Sequence, residues 1–458
     1  MDRKPGEVIV SDRMAQRATT LNDSASDIPR GPLPRPGVVV LFSAGSPLTA
    51  GIELPRQGLE FGRELPRGLF EEDDRVSRLH ARIEKKDGAV WLEDLGSRNG
   101  TFANGERVEG RVKLAFHALV RIGRSLLWLV EDVSPFMRPK VERDSDLGPF
   151  LGARLSSAFA ELSLASKAGD PVCLRGESGA GKELGARAFH VAKFGQDSVR
   201  PFIAVNCAAI PEGLAERLLF GARRGAYSGA HADAEGYLQA ADGGTLFLDE
   251  IAELDPLVQA KLLRVLETRE VLPLGASKAR RVEIQVCVAS HKSLREEVTQ
   301  GRFREDLYFR VGRPEVYIPP LRERLDEIPW LAQRELRAVS PGLSASVNFI
   351  ETCALRTWPG NVREFLREVR RAATKAAAGE ATLVEPHHLA DDAGREFATR
   401  TVSEAPEEAP PSDEQIETAL ALHGGNVRGT ARALRMHRNQ LRRWLDKRAG
   451  APEVEDDS

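Results

Sequence analysis

The feature that most constrains this chain is a glycine-rich octapeptide, GESGAGKE, at residues 176–183. It follows the apolar run PVCLR and precedes LGARAFHVAKF, whose apolar spacing is helical. Between a strand and a helix, such a loop wraps backbone N–H groups around phosphate oxygens, and the helix N-terminus adds its positive dipole end. The octapeptide therefore predicts a nucleotide phosphate site formed by Gly176, Glu177, Ser178, Gly179, Ala180, Gly181, Lys182 and Glu183.

A second motif, GGTLFLDE at residues 243–250, is a hydrophobic strand that ends in two carboxylates. Asp249 is expected to hold Mg²⁺, directly or through water, and Glu250 to orient or polarise the attacking water. Lys182 is expected to reach the β- and γ-phosphates, whereas Glu183 stands where the usual pattern has a magnesium-binding Ser or Thr. Each motif alone could be a turn before a helix or a buried strand with exposed acids. Together they predict ATP and Mg²⁺ as cofactors and ATP hydrolysis as the reaction.

Composition limits the class of protein. The 458 residues carry a formal net charge of −3, which excludes a chain that is basic throughout but allows one basic domain. No apolar run approaches the ~20 residues of a membrane helix, and the first residues, MDRKPGEVIVSD, contain no apolar signal core. Four widely spaced cysteines form neither a disulfide framework nor a metal-ligand set. These features predict a cytoplasmic protein that makes no membrane contact.

The pattern along the chain predicts several domains: an all-β sandwich, an α/β core with a helical subdomain, and an all-α module. Short β-type runs separated by turns give way to strands that alternate with helices, and then to helices alone. The predicted segments are an N-terminal extension (1–35), a β-sandwich (36–133), a linker (134–148), an α/β core (149–320), a helical lid (321–395), a linker (396–412), a basic helical module (413–448) and an acidic tail (449–458).

Residues 149–390 resemble the AAA+ ATPase domain of bacterial enhancer-binding proteins, which activate sigma-54 RNA polymerase. That family has Glu after the phosphate-loop lysine, so Glu183 agrees with the resemblance. The resemblance implies that Asn206, in FIAVNCAAI, restrains the catalytic glutamate in a switch. It also implies that Arg363, in WPGNVRE, contacts nucleotide, although a Pro-Gly-Asn helix start with an exposed arginine would look the same.

The segment GRFREDLYFR at residues 301–310 matches the part of that family that supplies arginines to a neighbouring subunit's ATP. Arg304 and Arg310 are those positions, and a guanidinium at the γ-phosphate stabilises transition-state charge. Without the motif, two arginines on a charged helix would be read as a solvated face. The resemblance implies a homo-oligomer, specifically a hexameric ring.

Two segments depart from the family pattern. The strand that usually ends in Ala-Thr-Asn ends here in Ala-Ser-His, so His291 is expected at the nucleotide site, with altered turnover or pH sensitivity. Residues 219–230, LFGARRGAYSGA, resemble the loop that contacts sigma-54 and normally ends in GAFTGA. Flanking glycines would let its tip move with nucleotide state. The expected sigma-54 contacts are Gly225, Ala226, Tyr227, Ser228, Gly229 and Ala230; an ordinary glycine-rich surface loop is the alternative.

Residues 36–133 resemble a forkhead-associated (FHA) domain, a β-sandwich that binds phosphothreonine peptides. The matching pieces are FGR at 61–63, VSRLHARI at 76–83 and DLGSRNGTFANG at 94–105. Charge-assisted hydrogen bonds to a phosphate dianion are strong, and a sandwich with merely basic loops is the alternative. The expected phosphothreonine-binding residues are Arg63, Ser77, Arg78, Arg98 and Asn99. The phosphothreonine could lie on a Ser/Thr kinase substrate or on this chain.

Residues 413–448 resemble a Fis-type helix-turn-helix, with a break at GGN and a last helix expected in the major groove of double-stranded DNA upstream of promoters. Between residues 428 and 448 basic side chains far outnumber acidic ones, although a basic solvated helix pair would share that charge. The expected DNA-binding residues are Arg438, Asn439, Arg442 and Arg443.

The combined expectation is a transcription activator in which ATP hydrolysis remodels the closed complex of sigma-54 RNA polymerase, gated by phosphothreonine recognition. Two alternatives remain open at this point. One is a DNA-binding regulator with a weakened ATPase, because His291 and the loop residues depart from the family. The other is an AAA+ remodeller of a partner other than sigma-54.

Overall fold

The computed structural model describes residues 33–137, 152–211, 213–226, 231–396 and 412–434, together with residues 436, 441, 442, 444 and 445. The chain divides between Glu396 and Phe397 into two compact units, which are described separately. In the described ranges, no helix is both long and apolar enough to cross a membrane.

The first unit begins with a sandwich of two antiparallel sheets, as the alternating β-type runs predict. Its six-stranded sheet has the order β2-β1-β10-β9-β6-β7, and its four-stranded sheet has the order β3-β4-β5-β8. The strands are β1 (Gly37–Ser43), β2 (Ser46–Glu53), β3 (Leu59–Phe61), β4 (Ala81–Lys86), β5 (Ala89–Asp94), β6 (Thr101–Ala103), β7 (Glu106–Arg107), β8 (Arg111–Leu114), β9 (Leu119–Ile122) and β10 (Ser125–Val130).

The central part of the unit is a parallel five-stranded sheet of order β12-β13-β16-β11-β17. Its middle strands are buried apolar runs because helices cover both faces, which confirms the predicted α/β class. The elements are α1 (Ala153–Ala168), β11 (Val172–Arg175), α2 (Lys182–Phe194), β12 (Phe202–Asn206), α3 (Ala215–Phe220), α4 (Tyr237–Ala240), β13 (Thr245–Asp249), α5 (Pro256–Thr268), β14 (Glu270–Val271), β15 (Arg280–Arg281), β16 (Gln285–Ser290), α6 (Leu294–Thr299), α7 (Glu305–Val311) and β17 (Glu315–Tyr317).

A helical lid completes the first unit. Its longest helix buries Phe365, Val369, Ala372 and Ala376, whose spacing of three or four residues makes one apolar stripe. The lid elements are α8 (Ile328–Val339), β18 (Ser344–Ala345), α9 (Val347–Leu355), α10 (Asn361–Ala378) and β19 (Leu383–Val384), with β18 and β19 paired in parallel.

The first residues of the predicted linker at 134–148 instead belong to the folded core. Ser134–Phe136 form a 3-10 helix, and Phe136 is buried with its ring edge-on to Trp128 at a centroid distance of 5.7 Å. One aromatic residue among polar neighbours gave no periodic signal in the sequence. Residues 138–148 lie outside the described residues.

The second unit begins with α11 (Asp413–Leu422) and α12 (Val427–Ala433), separated by the predicted glycine break. Ser412 caps α11 through a hydrogen bond from the Gln415 amide, and Ile416 and Leu441 belong to one small buried cluster. Most of the predicted third helix, including Arg438, Asn439 and Arg443, lies outside the described residues.

The burial of Phe136 makes a prediction about stability. Phe136→Ala is expected to lower the free energy of unfolding of the first unit by about 3 kcal/mol, because it removes a buried ring and leaves a cavity. The measurement is denaturant unfolding followed by tryptophan fluorescence. Met137→Ala is the matched control, since Met137 is 45% exposed, and we expect it to change stability by under ~0.5 kcal/mol. Equal midpoints for the two variants would contradict the packing described for Phe136.

Candidate functional site

The phosphate loop lies between the end of β11 and the start of α2, as predicted. Gly179 and Gly181 have φ values of 75° and 107°, a left-handed region that favours glycine. Space is the second constraint, because a Cβ on Gly179 would lie 2.3 Å from the carbonyl oxygen of Gly360 in the lid. The loop is therefore shaped by the sheet on one side and by the lid on the other.

Lys182 is buried, and its Nζ donates to the Gly176 carbonyl at 3.0 Å and to Glu250 Oε1 at 3.2 Å. Burial raises the pKa of Asp249, and the charge of Lys182 opposes that rise only in part. Glu183 is half exposed and pairs with Arg187 one helical turn later, away from the Lys182 network. The structure thus brings one cation and two carboxylates together at the ends of two neighbouring elements.

Glu250 is held in place by two groups. Its Oε1 accepts from Lys182, and its Oε2 accepts from the His291 amide at 3.2 Å and pairs with His291 Nδ1 at 2.5 Å. Burial works to raise the pKa of Glu250, but the His291 hydrogen bond and the Lys182 charge together bring it below the ordinary value. His291 was expected at the nucleotide site, but its bond to Glu250 was not predicted from sequence.

Asn206 lines the same cavity as Glu250, yet its carboxamide has a different task in this structure. Its Oδ1 accepts from the Ala208 amide at 3.0 Å and caps the 3-10 helix Cys207–Ala209. In this structure Lys182 and His291 bond Glu250, and the described residues include no hydrogen bond between Asn206 and Glu250, so the switch role of Asn206 stays a prediction. Asparagine readily bonds a backbone amide two residues on, and that local preference is what the structure shows.

The lid reaches the phosphate loop through the start of α10. Arg363 lines the cavity, and its Nη1 lies 3.5 Å from Ser178 Oγ. Asn361, which the sequence analysis did not single out, donates to Glu177 Oε2 at 3.0 Å and to the Ser178 carbonyl at 3.1 Å. The signal for it was present in the WPGNVRE motif, two residues before Arg363.

The cavity between the phosphate loop and the lid has a volume of about 480 Å³, and both charged and apolar side chains line it. Arg324, also missed from sequence, is 1% exposed and bonds Glu327 at 2.9 Å and the Ala180 carbonyl at 2.8 Å. Burial raises the pKa of Glu327 to about 7, and its other oxygen accepts from the Gly152 amide. An apolar surface beside a phosphate loop suits a flat purine base. The apolar side chains that line this cavity include Leu155, Leu331, Val362 and Leu366.

The two candidate in-trans arginines are engaged within the chain. Arg304 forms a two-bond ion pair with Asp306, at 2.7 and 3.0 Å, and Arg310 donates to the Leu266 carbonyl at 3.1 Å. Among the described residues that line the nucleotide cavity, neither arginine is present. Their role at the ATP of a neighbouring subunit stays a prediction.

The two ends of the candidate sigma-54 loop are joined by backbone hydrogen bonds. Backbone hydrogen bonds of 2.9 and 2.8 Å join Ala222 to Ala234, and Arg223 pairs with Asp233. Gly225 has a φ of 79°, so the chain turns sharply as it enters the tip. The tip residues Tyr227, Ser228, Gly229 and Ala230 lie outside the described residues.

The FHA-like loops bring the predicted phosphothreonine residues to one end of the sandwich. Arg63 donates to the carbonyls of Val76 and Asp74, and the Arg98 amide donates to Ser77 Oγ at 3.1 Å. Arg78, Arg98 and Asn99 are exposed, and Asn99 Nδ2 donates to the Arg75 carbonyl at 2.7 Å.

His80 lies beneath these loops. It is fully buried, its Nδ1 accepts from the Ser77 amide at 3.0 Å, and its Nε2 lies 3.2 Å from the Gly100 carbonyl. Burial lowers the pKa of His80, so the neutral ring is favoured as a spacer between loops. The cluster of donors above it is open to a phosphate dianion.

Of the four candidate DNA-binding residues, Arg442 is described. It is helical and exposed, next to the buried Leu441. Trp444 Nε1 donates to Asp413 Oδ1 at 2.7 Å, which ties this segment to α11.

Comparison with known families agrees with this geometry. Residues 152–316 match the sigma-54 interaction domain, residues 59–123 the FHA domain, and residues 413–447 the bacterial regulatory proteins of the Fis family. The chain therefore carries a sigma-54 interaction domain, which is an AAA+ ATPase domain, together with an FHA domain and a Fis-type helix-turn-helix. The three domain types predicted from sequence are confirmed.

Similar proteins include transcription regulators. The chain is 38% identical over 344 residues to the nitric oxide reductase transcription regulator NorR1 of Cupriavidus necator, covering 69% of this chain and 66% of that protein. It is 43% identical over 233 residues to the hydrogenase transcriptional regulatory protein HoxA of Bradyrhizobium diazoefficiens, covering 49% and 48%. It is 40% identical over 249 residues to the Nif-specific regulatory protein of Herbaspirillum seropedicae, covering 52% and 44%. The chain thus spans about half the length of the latter two relatives.

Among solved structures, the crystal structure of NtrX from Brucella abortus in complex with ATP is similar, with 28% identity and a TM-score of 0.48. The match covers 66% of this chain and 70% of that chain.

The position of His291 makes a prediction about pH. His291→Ala removes a hydrogen bond that lowers the pKa of Glu250, so that pKa should rise. Because the Lys182 charge and the backbone N–H of residue 291 continue to lower the pKa of Glu250 in the variant, the rise should be partial. If turnover needs ionised Glu250, the fall in ATP hydrolysis on acidification should occur at higher pH in the variant. Phosphate release from about pH 5 to 8 measures this effect.

His291→Asn is the matched control, since asparagine restores an N–H donor and should move the acid limb back toward that of the wild type. Superimposable profiles for wild type and His291→Ala would show that His291 does not act on the catalytic glutamate.

Proposed function

We propose that this protein is a sigma-54-dependent transcription activator that hydrolyses ATP to remodel the closed complex of sigma-54 RNA polymerase. The observation that carries the proposal is the convergence of Lys182, Asp249, Glu250 and Arg363 on one cavity. Lys182, Asp249 and Glu250 lie inside the segment that matches the sigma-54 interaction domain. The Fis-type domain would hold the protein on double-stranded DNA upstream of the promoter. A cytoplasmic location, suggested by four buried free thiols, belongs to the same proposal.

The residues at the cavity fit a magnesium–nucleotide complex. Mg²⁺ commonly takes one or two protein carboxylates and completes its octahedron with phosphate oxygens and water, and bound Mg²⁺ supplies neutralising charge to the phosphates. Asp249 is the carboxylate placed to hold it, since Glu183 is turned toward Arg187. Lys182 would bind the β- and γ-phosphates, and Glu250, once released from Lys182, would accept a proton from the attacking water.

A ring of protomers, by family resemblance a hexamer, would complete the site. Arg304 is the N-cap of α7 and Arg310 lies within α7, and neither residue lines the cavity of its own chain. A guanidinium delivered to the γ-phosphate of a neighbour stabilises the charge that develops in the transition state. Arg304 would exchange its pairing with Asp306 for that phosphate, so catalysis and assembly would be linked.

The loop at 225–230 would be the moving contact with sigma-54. Its base is closed by the Ala222–Ala234 pairing, and its tip carries Tyr227 and Ser228 where the family has Phe and Thr. The ring of Tyr227 keeps the aromatic contact. If the tip does not engage sigma-54, the protein would be a remodeller of another partner, and the experiment below separates the two outcomes.

The FHA domain would gate this activity by binding a phosphothreonine on a Ser/Thr kinase substrate or on the chain itself. Support comes from the family match and from the exposed donors Arg78, Arg98 and Asn99 gathered at one end of the sandwich.

Promoter opening is the first test of the proposed function. With ATP and sigma-54 RNA polymerase, the wild type should open a sigma-54 promoter, whereas Tyr227→Ala should hydrolyse ATP without opening it, as followed by permanganate footprinting. Tyr227→Phe restores the family's ring and should open the promoter. ATP hydrolysis that vanishes in Asp249→Ala excludes the weakened-ATPase alternative. A wild type that hydrolyses ATP but never opens the promoter would favour a different partner.

Phosphopeptide binding is the second test. Arg63→Ala and Arg78→Ala should each weaken capture of a mixed phosphothreonine peptide pool by about tenfold, the value of one charge-assisted hydrogen bond. Arg67→Ala, an exposed arginine on the same domain, is the control and should bind normally. The unphosphorylated pool should not bind to any of the proteins. Undiminished binding by both Arg63→Ala and Arg78→Ala would reject this set of phosphate ligands.

A further inference from the structure

The central strands β1 and β10 of the six-stranded sheet of the FHA domain are buried on both faces. Along β1, Val38 and Val40 point into the sandwich core, whereas Val39 and Leu41 belong to a second apolar cluster. Every residue of β10 is buried as well. A sandwich that stood apart from its neighbours would show alternating buried and exposed positions along such strands, so the outer face of this sheet is covered.

The cover is the AAA+ lid. The cluster that contains Val39 and Leu41 continues without a break into the lid through residues of α8 and α9. The FHA domain therefore shares a hydrophobic core with the lid; the lid members of α8 and α9 are Ile328, Leu331, Ala332, Leu336, Val347, Phe349, Ile350, Cys353 and Ala354.

Polar contacts fix the register of this interface. Arg121 Nε on β9 lies 2.6 Å from Glu351 Oε2 on α9, and the two side chains are only 15% and 6% exposed. On the neighbouring helix, Trp330 Nε1 donates to Thr49 Oγ1 at 3.2 Å. A buried ion pair is strongly sensitive to the loss of one partner, because the other charge remains buried without compensation.

The interface is also continuous with the phosphothreonine loops. Asn99 lies two residues before the start of β6, and the ring of Phe102 in β6 lies 3.8 Å beneath the Arg121 guanidinium. A Cβ at Gly105, in the turn after β6, would contact the side chain of Leu355, the last residue of α9.

On the lid side, the interface leads to the nucleotide. Three residues after Leu355, Trp358 donates through Nε1 to the Cys353 carbonyl at 2.7 Å, which fixes the connection between α9 and α10. Asn361 and Arg363, at the start of α10, then contact the phosphate loop. A chain of direct contacts thus joins the two recognition sites of the first unit.

From these contacts we propose that the FHA domain is a docked part of the AAA+ lid and sets the position of the lid over ATP through the Arg121–Glu351 pair. The phosphothreonine input rests on the proposed function, but the docking does not. A phosphothreonine peptide that binds the FHA domain more tightly in one lid position than in another would shift the lid toward the first position. A ligand moves an equilibrium only by its differential affinity for the two states.

Charge reversal in the full-length protein tests the proposal. Arg121→Glu and Glu351→Arg should each raise hydrogen exchange in Val347–Leu355 and raise the KM for ATP about fivefold. Each should also abolish any effect of the phosphothreonine peptide pool on ATP turnover. Binding of the peptide pool to the variant should remain unchanged. The double reversal should recover most of these properties, though not the stacking on Phe102. Arg111→Glu, which breaks an ion pair with Glu84 on the opposite sheet, is the control and should leave KM unchanged.

Single reversals with wild-type exchange and KM would overturn the proposal, as would a folded double reversal that recovers neither. If the reversals fail to fold, Trp330→Phe retains an aromatic side chain and removes the hydrogen bond to Thr49. Hydrogen exchange in Ile328–Val339 should then rise, and unchanged exchange would overturn the docking. A wild type that binds no phosphothreonine peptide would contradict the proposed gating, while the KM and exchange results would still decide the docking.

Discussion

The contact between the phosphate loop and the start of α10 is the constraint on which the rest of the first unit depends. Gly179 has no side chain, and only for that reason can the Gly360 carbonyl come so close. Asn361 then bonds both Glu177 and Ser178, so the lid holds the same backbone that would hold phosphate. Because a packed contact of this kind has few alternative arrangements, a change in the position of the lid is also a change in the nucleotide site.

Buried charge is the second organising theme, and three charge pairs of the described first unit illustrate it. Lys182 is balanced by Glu250, Arg324 by Glu327, and Arg121 by Glu351. Such pairs contribute little net stability relative to apolar packing, but the loss of one partner is costly. Their value here is positional. The Lys182–Glu250 and Arg121–Glu351 pairs join elements that are far apart in sequence, and the local Arg324–Glu327 pair fixes a guanidinium that reaches the Ala180 carbonyl of the phosphate loop.

The extent to which sequence predicted this structure follows from the range of the interactions. The phosphate loop and the paired carboxylates were readable because a few consecutive residues carry the chemistry. Asn206 was assigned from family resemblance, and only the fold shows that His291 reaches Glu250. Arg324 and Phe136 gave no signal because their burial is decided by distant elements. The FHA–lid interface also depends on distant elements: the continuous apolar runs of β1 and β10 indicate strands covered on both faces, but they do not identify what covers them.

In the proposed mechanism, signals would enter and leave on different sides of the ATP cavity. Entry would be through the lid, against which the FHA sheet packs. Exit begins at Glu250, whose left-handed backbone leads into the 3-10 helix Ile251–Glu253, which lies against Cys207–Ala209. From there the chain continues into α3 and the paired base of the loop at 225–230. A change in the bonds of Glu250 would therefore act on elements that lead directly to the candidate sigma-54 loop. The lid would contact the same nucleotide from the other side of the cavity.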